Sequence, residues 1–266
     1  QLDLLGDDFA IAHDVAHQWF GNKVSSRSYR DWWMMEGFSS YMGAVYLAYK
    51  NESRKPLMLL LENAASRVFA ATDEETGYGY NGPVWMGKRL STANLPFGYF
   101  DTVHNKSIWI IHMLRSLMHE PDSGDDVSFF ATLRELLKEF DGRLLSTWDL
   151  KRVAEKYMNK RMDVYGDGNL DWFFKQWVFG SGAPRYDLRY SVERSSNGFV
   201  ISGEIIQSGV SDFIMPVPIY ADSDGNLTYL GDVVVSDESG DFRFVVDWKP
   251  KHLKIDPYNS ILKRPL

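Results

Sequence analysis

Residues 11–41, IAHDVAHQWFGNKVSSRSYRDWWMMEGFSSY, place two histidines and a carboxylate at the spacing of a metal site. His13 and His17 stand four apart, so on a helix they lie on one face, one turn above the other, with both imidazoles able to reach one ion. Glu36 follows His17 after eighteen intervening residues. That interval holds the end of the first helix, a loop over about 21–29 and the start of a second helix returning alongside. Three protein ligands leave one coordination position for water, which is the arrangement of catalytic rather than structural zinc.

The flanks sharpen this reading. His17-Gln18-Trp19-Phe20-Gly21-Asn22 and the run Asp31-Trp32-Trp33-Met34-Met35-Glu36-Gly37-Phe38-Ser39-Ser40-Tyr41 resemble the two metal-ligand helices of the gluzincin metallopeptidases, the aminopeptidase N family. There the first helix reads H-E-x-x-H-x-W-F/W-G and the second W-L-N-E-G-F-A-x-Y, across the same gap. The resemblance implies Zn2+ held by His13, His17 and Glu36, a peptide or protein substrate, and hydrolysis of a peptide bond. It also marks a departure. Asp14 stands where the family has the glutamate that takes a proton from water at the metal, and its carboxylate is one methylene shorter. A general base must come within about 2.6–3.2 Å of its proton donor, so that missing carbon bears directly on the chemistry.

A second departure lies further along. The segment VHNKSIWIIHMLRSLM over 103–118 has apolar residues at helical spacing, with Ile108, Ile111, Leu114 and Leu117 forming the stripe. It is similar to the family's Y-x-K-G-A-x-V-L-x-M-L helix, whose tyrosine hydroxyl stabilises the oxyanion. Aligning Lys106 and Met113-Leu114 puts His104 at the tyrosine and Ser107 at the glycine. Three readings of His104 stay open: a shorter oxyanion donor, a fourth zinc ligand, or a plain polar residue near the cleft. Tyr99, five residues earlier, is an alternative hydroxyl donor. A donor aimed at an oxyanion is worth about 2.7–4 kcal/mol, so the substitution carries weight. His112 and His119 read as ordinary helix residues, and His252 as structural or exposed.

Composition fits a globular protein. The chain has 266 residues, 44% hydrophobic, with nine Trp and sixteen Phe to fill a core. Net charge is −7 with no basic block, which argues against a nucleic-acid partner. No apolar run reaches the eighteen or more residues of a membrane span, and the opening Gln1-Leu2-Asp3 has no signal-peptide pattern. The absence of cysteine excludes disulfides and thiolate ligands without deciding a compartment. Asn51, Asn105 and Asn226 begin Asn-x-Ser/Thr triplets, a pattern too common by chance to imply secretion. About nine residues precede the metal-binding helix, and the G-x-M-E-N loop that binds the substrate amine in the family does not occur. A fragment or excised domain is therefore expected.

The remaining helical segments are predicted over 57–71, 127–140, 147–158 and 170–179, with the second metal-ligand helix breaking at 51–56. Thr147 is expected to cap its helix and Asn169 the next one. Residues 76–82 read as a glycine-rich loop, and 82–91 resembles a connection that precedes the family's tyrosine. The run DVYGDGNLD over 163–171 has a trace of a calcium loop, but Tyr165 and Phe174 stand where carboxylates are needed, so it reads as a turn. Leu170-Asp171-Trp172-Phe173-Phe174-Lys175-Gln176-Trp177 up to Pro184 is similar to the phrase that closes the family's catalytic domain; its aromatic stripe reads as core. From Arg185 the period falls to two, over six or seven short strands with Asp224-Gly225 among the turns.

The expected architecture is therefore α+β and multidomain. A mainly α-helical, thermolysin-like metallopeptidase domain over 1–184 precedes a small β-sandwich over 185–266. Two functions follow: a zinc metallopeptidase with Asp14 as base and His104 at the oxyanion position, or a catalytically inactive relative that binds peptides or partners.

Overall fold

The computed structural model describes residues 6–70, 82–91, 98–120 and 124–265. The chain is a mixed α and β structure in two compact units. One is built within Gln1–Glu120, Gly124–Met158 and Asn169–Ser181, the other within Asn159–Gly168 and Gly182–Leu266. The expected loop over 76–82 lies almost wholly outside the described residues.

The helical unit is organised on one buried helix. Helix α1 (Asp7–Ala16) is followed by the two-residue strand β1 (Ser25–Ser26), then by α2 (Trp32–Lys50) and α3 (Lys55–Ala70). After them come α4 (Ser107–Met118), α5 (Val127–Glu139), strand β2 (Leu144–Leu145), α6 (Thr147–Glu155) and α7 (Asp171–Trp177). Trp33, Met34, Met35, Phe38 and Tyr41 of α2 are all fully buried, because α1, α3 and α4 pack around it. Each such side chain contributes about 1.5–3 kcal/mol on leaving water, so the helix carrying Glu36 is firmly held.

Its N-terminal end is fixed by polar contacts. Asp31 Oδ1 accepts from the Thr147 amide at 2.8 Å and hydroxyl at 2.9 Å, and Thr147 Oγ1 also accepts from the Trp33 indole at 3.1 Å. Thr147 thus spends its hydroxyl on α2 rather than capping its own helix. Ser146 is the N-cap of α6, in a reciprocal capping box with Asp149, and the helix ends at Glu155, short of the expected 158. The N-cap of the next helix is Leu170 rather than the expected Asn169, although Asn169 Oδ1 accepts from the Asp171 amide at 2.9 Å. The neighbouring turn is closed by Asp163 Oδ1 on the Gly168 amide at 3.0 Å. Strands β1 and β2 pair in parallel, Ser25 with Leu144 and Ser26 with Leu145, and tie the loop between α1 and α2 to the start of α6.

Before α4 the chain is not an ordinary α-helix. Phe100–Lys106 forms a π-helical turn. The Asn105 side-chain amide donates to the Phe100 carbonyl at 3.3 Å and Ser107 Oγ donates to the His104 carbonyl at 3.1 Å, so side chains compete for carbonyls with the regular backbone ladder. Asn105 is fully buried, which excludes it as a glycosylation acceptor in the folded chain. His112 is also buried, 2.9 Å from the Tyr41 hydroxyl. The segment Val84–Leu90 is a 3-10 turn kinked at Gly87 (φ 55°), where a side chain would strike the Tyr29 carbonyl.

The second unit is one six-stranded antiparallel sheet. Strands β3 (Arg185–Ser195), β4 (Gly198–Ser208), β5 (Ile214–Ser223), β6 (Asn226–Ser236), β7 (Ser239–Val246) and β8 (His252–Ile255) take the order β3-β4-β7-β6-β5-β8. The β6–β7 ladder is the single pair Ser236↔Ser239, a near-break between two three-stranded leaves. Asp224 and Gly225 form the β5–β6 hairpin with φ of 55° and 90°, as an Asp-Gly turn requires. Pro216 and Pro218 lie in β5 opposite Val234 and Asp232 of β6, before pairing with β8 begins at Ile219. The Pro218 carbonyl accepts from the Asp256 amide at 2.9 Å, so its backbone polar groups face the β8 side rather than β6. Arg161 grips Asp232 of β6 through Nε at 2.5 Å and Nη2 at 3.2 Å, which fastens residues 159–168 to the sheet.

Candidate metal centre

The site forms where α1 ends beside the first half of α2. Gly43 makes this approach close: a Cβ there would sit 3.1 Å from the His13 amide nitrogen and 3.3 Å from Ala12 C and His13 Cα. Past His17 the chain turns sharply at Gly21 (φ 138°), bringing the Phe20 carbonyl back over the His17 ring. The helical spacing of the two histidines and the return of α2 thus bring His13, His17 and Glu36 together, with one ligand atom from each within 4.8 Å of the others.

His13 Nε2 and His17 Nε2 are 3.0 Å apart, and Glu36 Oε2 lies 3.9 Å from His17 Nε2. Tetrahedral zinc with bonds of about 2.0–2.1 Å requires ligand atoms about 3.3 Å apart, so small adjustments suffice. The far side of each imidazole is already engaged. His17 Nδ1 is 2.9 Å from the Phe20 carbonyl and 3.1 Å from Ser39 Oγ, and His13 Nδ1 is 3.1 Å from Ser40 Oγ. A carbonyl only accepts, so Nδ1 of His17 carries the proton and its Nε2 lone pair faces the metal position. Burial, then the neighbouring His17, push the His13 pKa below its usual value, against the opposing pull of Glu36 and Asp14. A neutral imidazole is the ligating form. The donor set fits a divalent cation.

Glu36 is nearly buried, and both its oxygens are in use. Oε1 accepts from the Trp32 indole at 3.1 Å, and Oε2 lies 3.3 Å from His104 Nδ1. His104 stacks on Phe100 at 4.6 Å between ring centres and meets the edge of Tyr99 at 5.7 Å. Burial lowers the His104 pKa despite the attraction of Glu36. In the neutral ring facing a carboxylate, Nδ1 bears the proton and Nε2 does not. Tyr99 has its pKa pushed up to about 12, by burial first and then by the charge of Glu36, so it keeps its hydroxyl proton. Asp14 is exposed on α1 and forms no hydrogen bond among the described residues.

The sequence pattern singles out the three ligands, Asp14 and His104. It misses Trp32, whose i,i+4 relation to Glu36 is the available signal, and it registers Ser39 and Ser40 only as small residues, although their hydroxyls meet the imidazoles.

A family comparison bears on this arrangement: the peptidase family M1 domain matches residues 8–177, from α1 to the end of α7. The chain belongs to peptidase family M1. Among M1 relatives, it is 27% identical to aminopeptidase N of Mus musculus over 217 residues, 78% of this chain and 21% of that protein. Aminopeptidase N of Homo sapiens is 34% identical over 114 residues, 41% of this chain and 11% of that protein. Leukotriene A-4 hydrolase of Xenopus laevis is 21% identical over 212 residues, 76% of this chain and 31% of that protein. The chain thus spans about a tenth to a third of the length of these M1 relatives. Among the described residues no helix is long and apolar enough to cross a membrane.

Proposed function

We propose that this chain carries the zinc site of an aminopeptidase-type metallopeptidase, in a thermolysin-like helical domain over 1–184 followed by a β-sandwich domain over 185–266, and that it hydrolyses peptide bonds. The observation that carries this reading is the convergence of His13, His17 and Glu36, each imidazole with its far nitrogen already anchored. Zinc held by these three would polarise the substrate carbonyl and lower the pKa of a coordinated water towards about 7. Asp14, next to His13 on α1, would act as the base that takes the proton from the attacking water and returns it to the leaving amine. As oxygen bonds to the carbonyl carbon, the C–N bond breaks and the amine departs protonated. Tyr99 and His104, both beside Glu36, are the groups available to face the developing oxyanion. The hydroxyl of Tyr99 can donate there, whereas His104 can do so only from the tautomer that gives up Glu36.

A second reading, peptide binding without turnover, is favoured by the exposed, shortened Asp14 and by the His104 nitrogen committed to Glu36. A peptide or protein is the partner in both cases, and net charge of −7 speaks against nucleic acid. The two readings separate in hydrolysis of an aminoacyl 4-nitroanilide by the zinc-loaded chain and by Asp14→Glu/His104→Tyr. The enzyme reading expects measurable turnover that rises at least about a hundred-fold in the double variant. A zinc-loaded double variant with no turnover overturns it in favour of binding.

A further inference from the structure

We infer that Trp32 and His104 are positioning residues that clamp the Glu36 carboxylate, one on each oxygen, and so set the strength with which the site holds its metal. The inference rests on the zinc reading above and goes beyond it, since it assigns work to two side chains outside the ligand set.

A glutamate side chain ends in a broad, roughly two-fold torsion, so an unsupported carboxylate samples many planes. Here that torsion is fixed from both sides. An indole N–H only donates and a carboxylate only accepts, so the 3.1 Å contact from Trp32 to Oε1 has one direction. His104 Nδ1 stands 3.3 Å from Oε2, the oxygen that faces His17. Oε2, the oxygen 3.9 Å from His17 Nε2, would be the ligand atom; His104 contacts that same oxygen while Trp32 holds the other.

Both donors are themselves supported. Trp32 is the first residue of α2, one helical turn before Glu36, so backbone geometry sets their separation. The His104 ring is held by Phe100 and Tyr99, and its carbonyl accepts from Ser107 Oγ. Two residues on, the buried Lys106 ammonium donates to the Gly180 carbonyl at 2.6 Å, which pins the π-turn to the segment after α7. Where the resembling family has a tyrosine, this chain thus has a ring whose nitrogen reaches the ligand carboxylate.

The test is the zinc dissociation constant of the full chain, measured by competition with a chromophoric chelator. Trp32→Phe and His104→Phe keep a ring and lose the donor; each is expected to weaken zinc binding about 10–100-fold. His104→Asn carries an amide N–H near the position of the imidazole Nδ1 and is expected to recover most of the loss. Urea unfolding of the metal-free variants separates positioning from folding, since the clamp predicts weaker binding at an unchanged midpoint. The visible absorption of the cobalt(II)-loaded chain adds a readout of ligand geometry, expected to change in Trp32→Phe even if His104→Phe folds poorly. Parent-like zinc affinity and cobalt spectrum in Trp32→Phe and His104→Phe overturn the clamp alone. A parent chain that takes up no zinc overturns the functional reading and the clamp with it.

Discussion

Gly43→Ala is the substitution that most directly couples packing to the metal site. The added methyl would sit 3.1 Å from His13 N and 3.3 Å from both Ala12 C and His13 Cα. All three atoms are backbone, so no side chain can swing aside, and α1 must shift as a body by a few tenths of an ångström. His13 and His17 travel with α1 while Glu36 stays with α2. Metal sites tolerate errors of about 0.2 Å in ligand distance, so the shift consumes the tolerance. Overpacking costs about 1–3 kcal/mol. Alanine returns about 0.8–1 kcal/mol of helix propensity. Net destabilisation is then about 0–2 kcal/mol, while zinc affinity falls at least about tenfold, comparable to losing a supporting contact. Urea unfolding of the metal-free protein reads the first quantity and chelator competition the second. A Gly43→Ala protein that is more stable than its parent and binds zinc equally well would refute the close approach of the two helices.

Other consequences follow from single contacts. Ser40→Ala removes the partner of His13 Nδ1 and is expected to weaken zinc binding about tenfold, the low end for such partners, read in the same competition assay. Asp31→Ala strands the Thr147 amide in a buried position and should cost about 1–3 kcal/mol in urea unfolding; no loss would deny that contact a role. Burial pushes the Lys106 pKa down to about 7, against the usual 10.5 of the unfolded chain. Between those values the unfolded state holds more protons, so the cost of burying the charge is full below about pH 7 and fades as pH rises. Stability should therefore climb by up to about 1.4 kcal/mol per pH unit across that window. Lys106→Met should flatten this rise, and an unchanged slope would contradict the burial of a charge there.

The parts legible in the sequence were those encoded by spacing. His13 and His17 four apart and the unbroken apolar run around Glu36 describe two helices without any tertiary information, and alternation with Asp224-Gly225 describes strands and a hairpin. What was not legible depends on where side chains meet across the fold. Ser146 and Thr147 are both plausible caps by type, and only the position of Asp31 shows why the first caps and the second bridges. The π-turn at Phe100–Lys106 follows from side-chain competition for carbonyls, which apolar periodicity does not register. Strands of two residues, β1 and β2, pair segments more than a hundred positions apart and leave no local pattern. Trp32, Ser39 and Ser40 are ordinary residue types whose contribution lies only in their direction.

The central claim is that His13, His17 and Glu36 form a metal site, and elemental analysis of the purified chain beside a His13→Ala control tests it most directly. The account predicts about one zinc per chain, lost in the control, as a three-ligand site requires. A parent chain that stays free of zinc after incubation with the metal would contradict it.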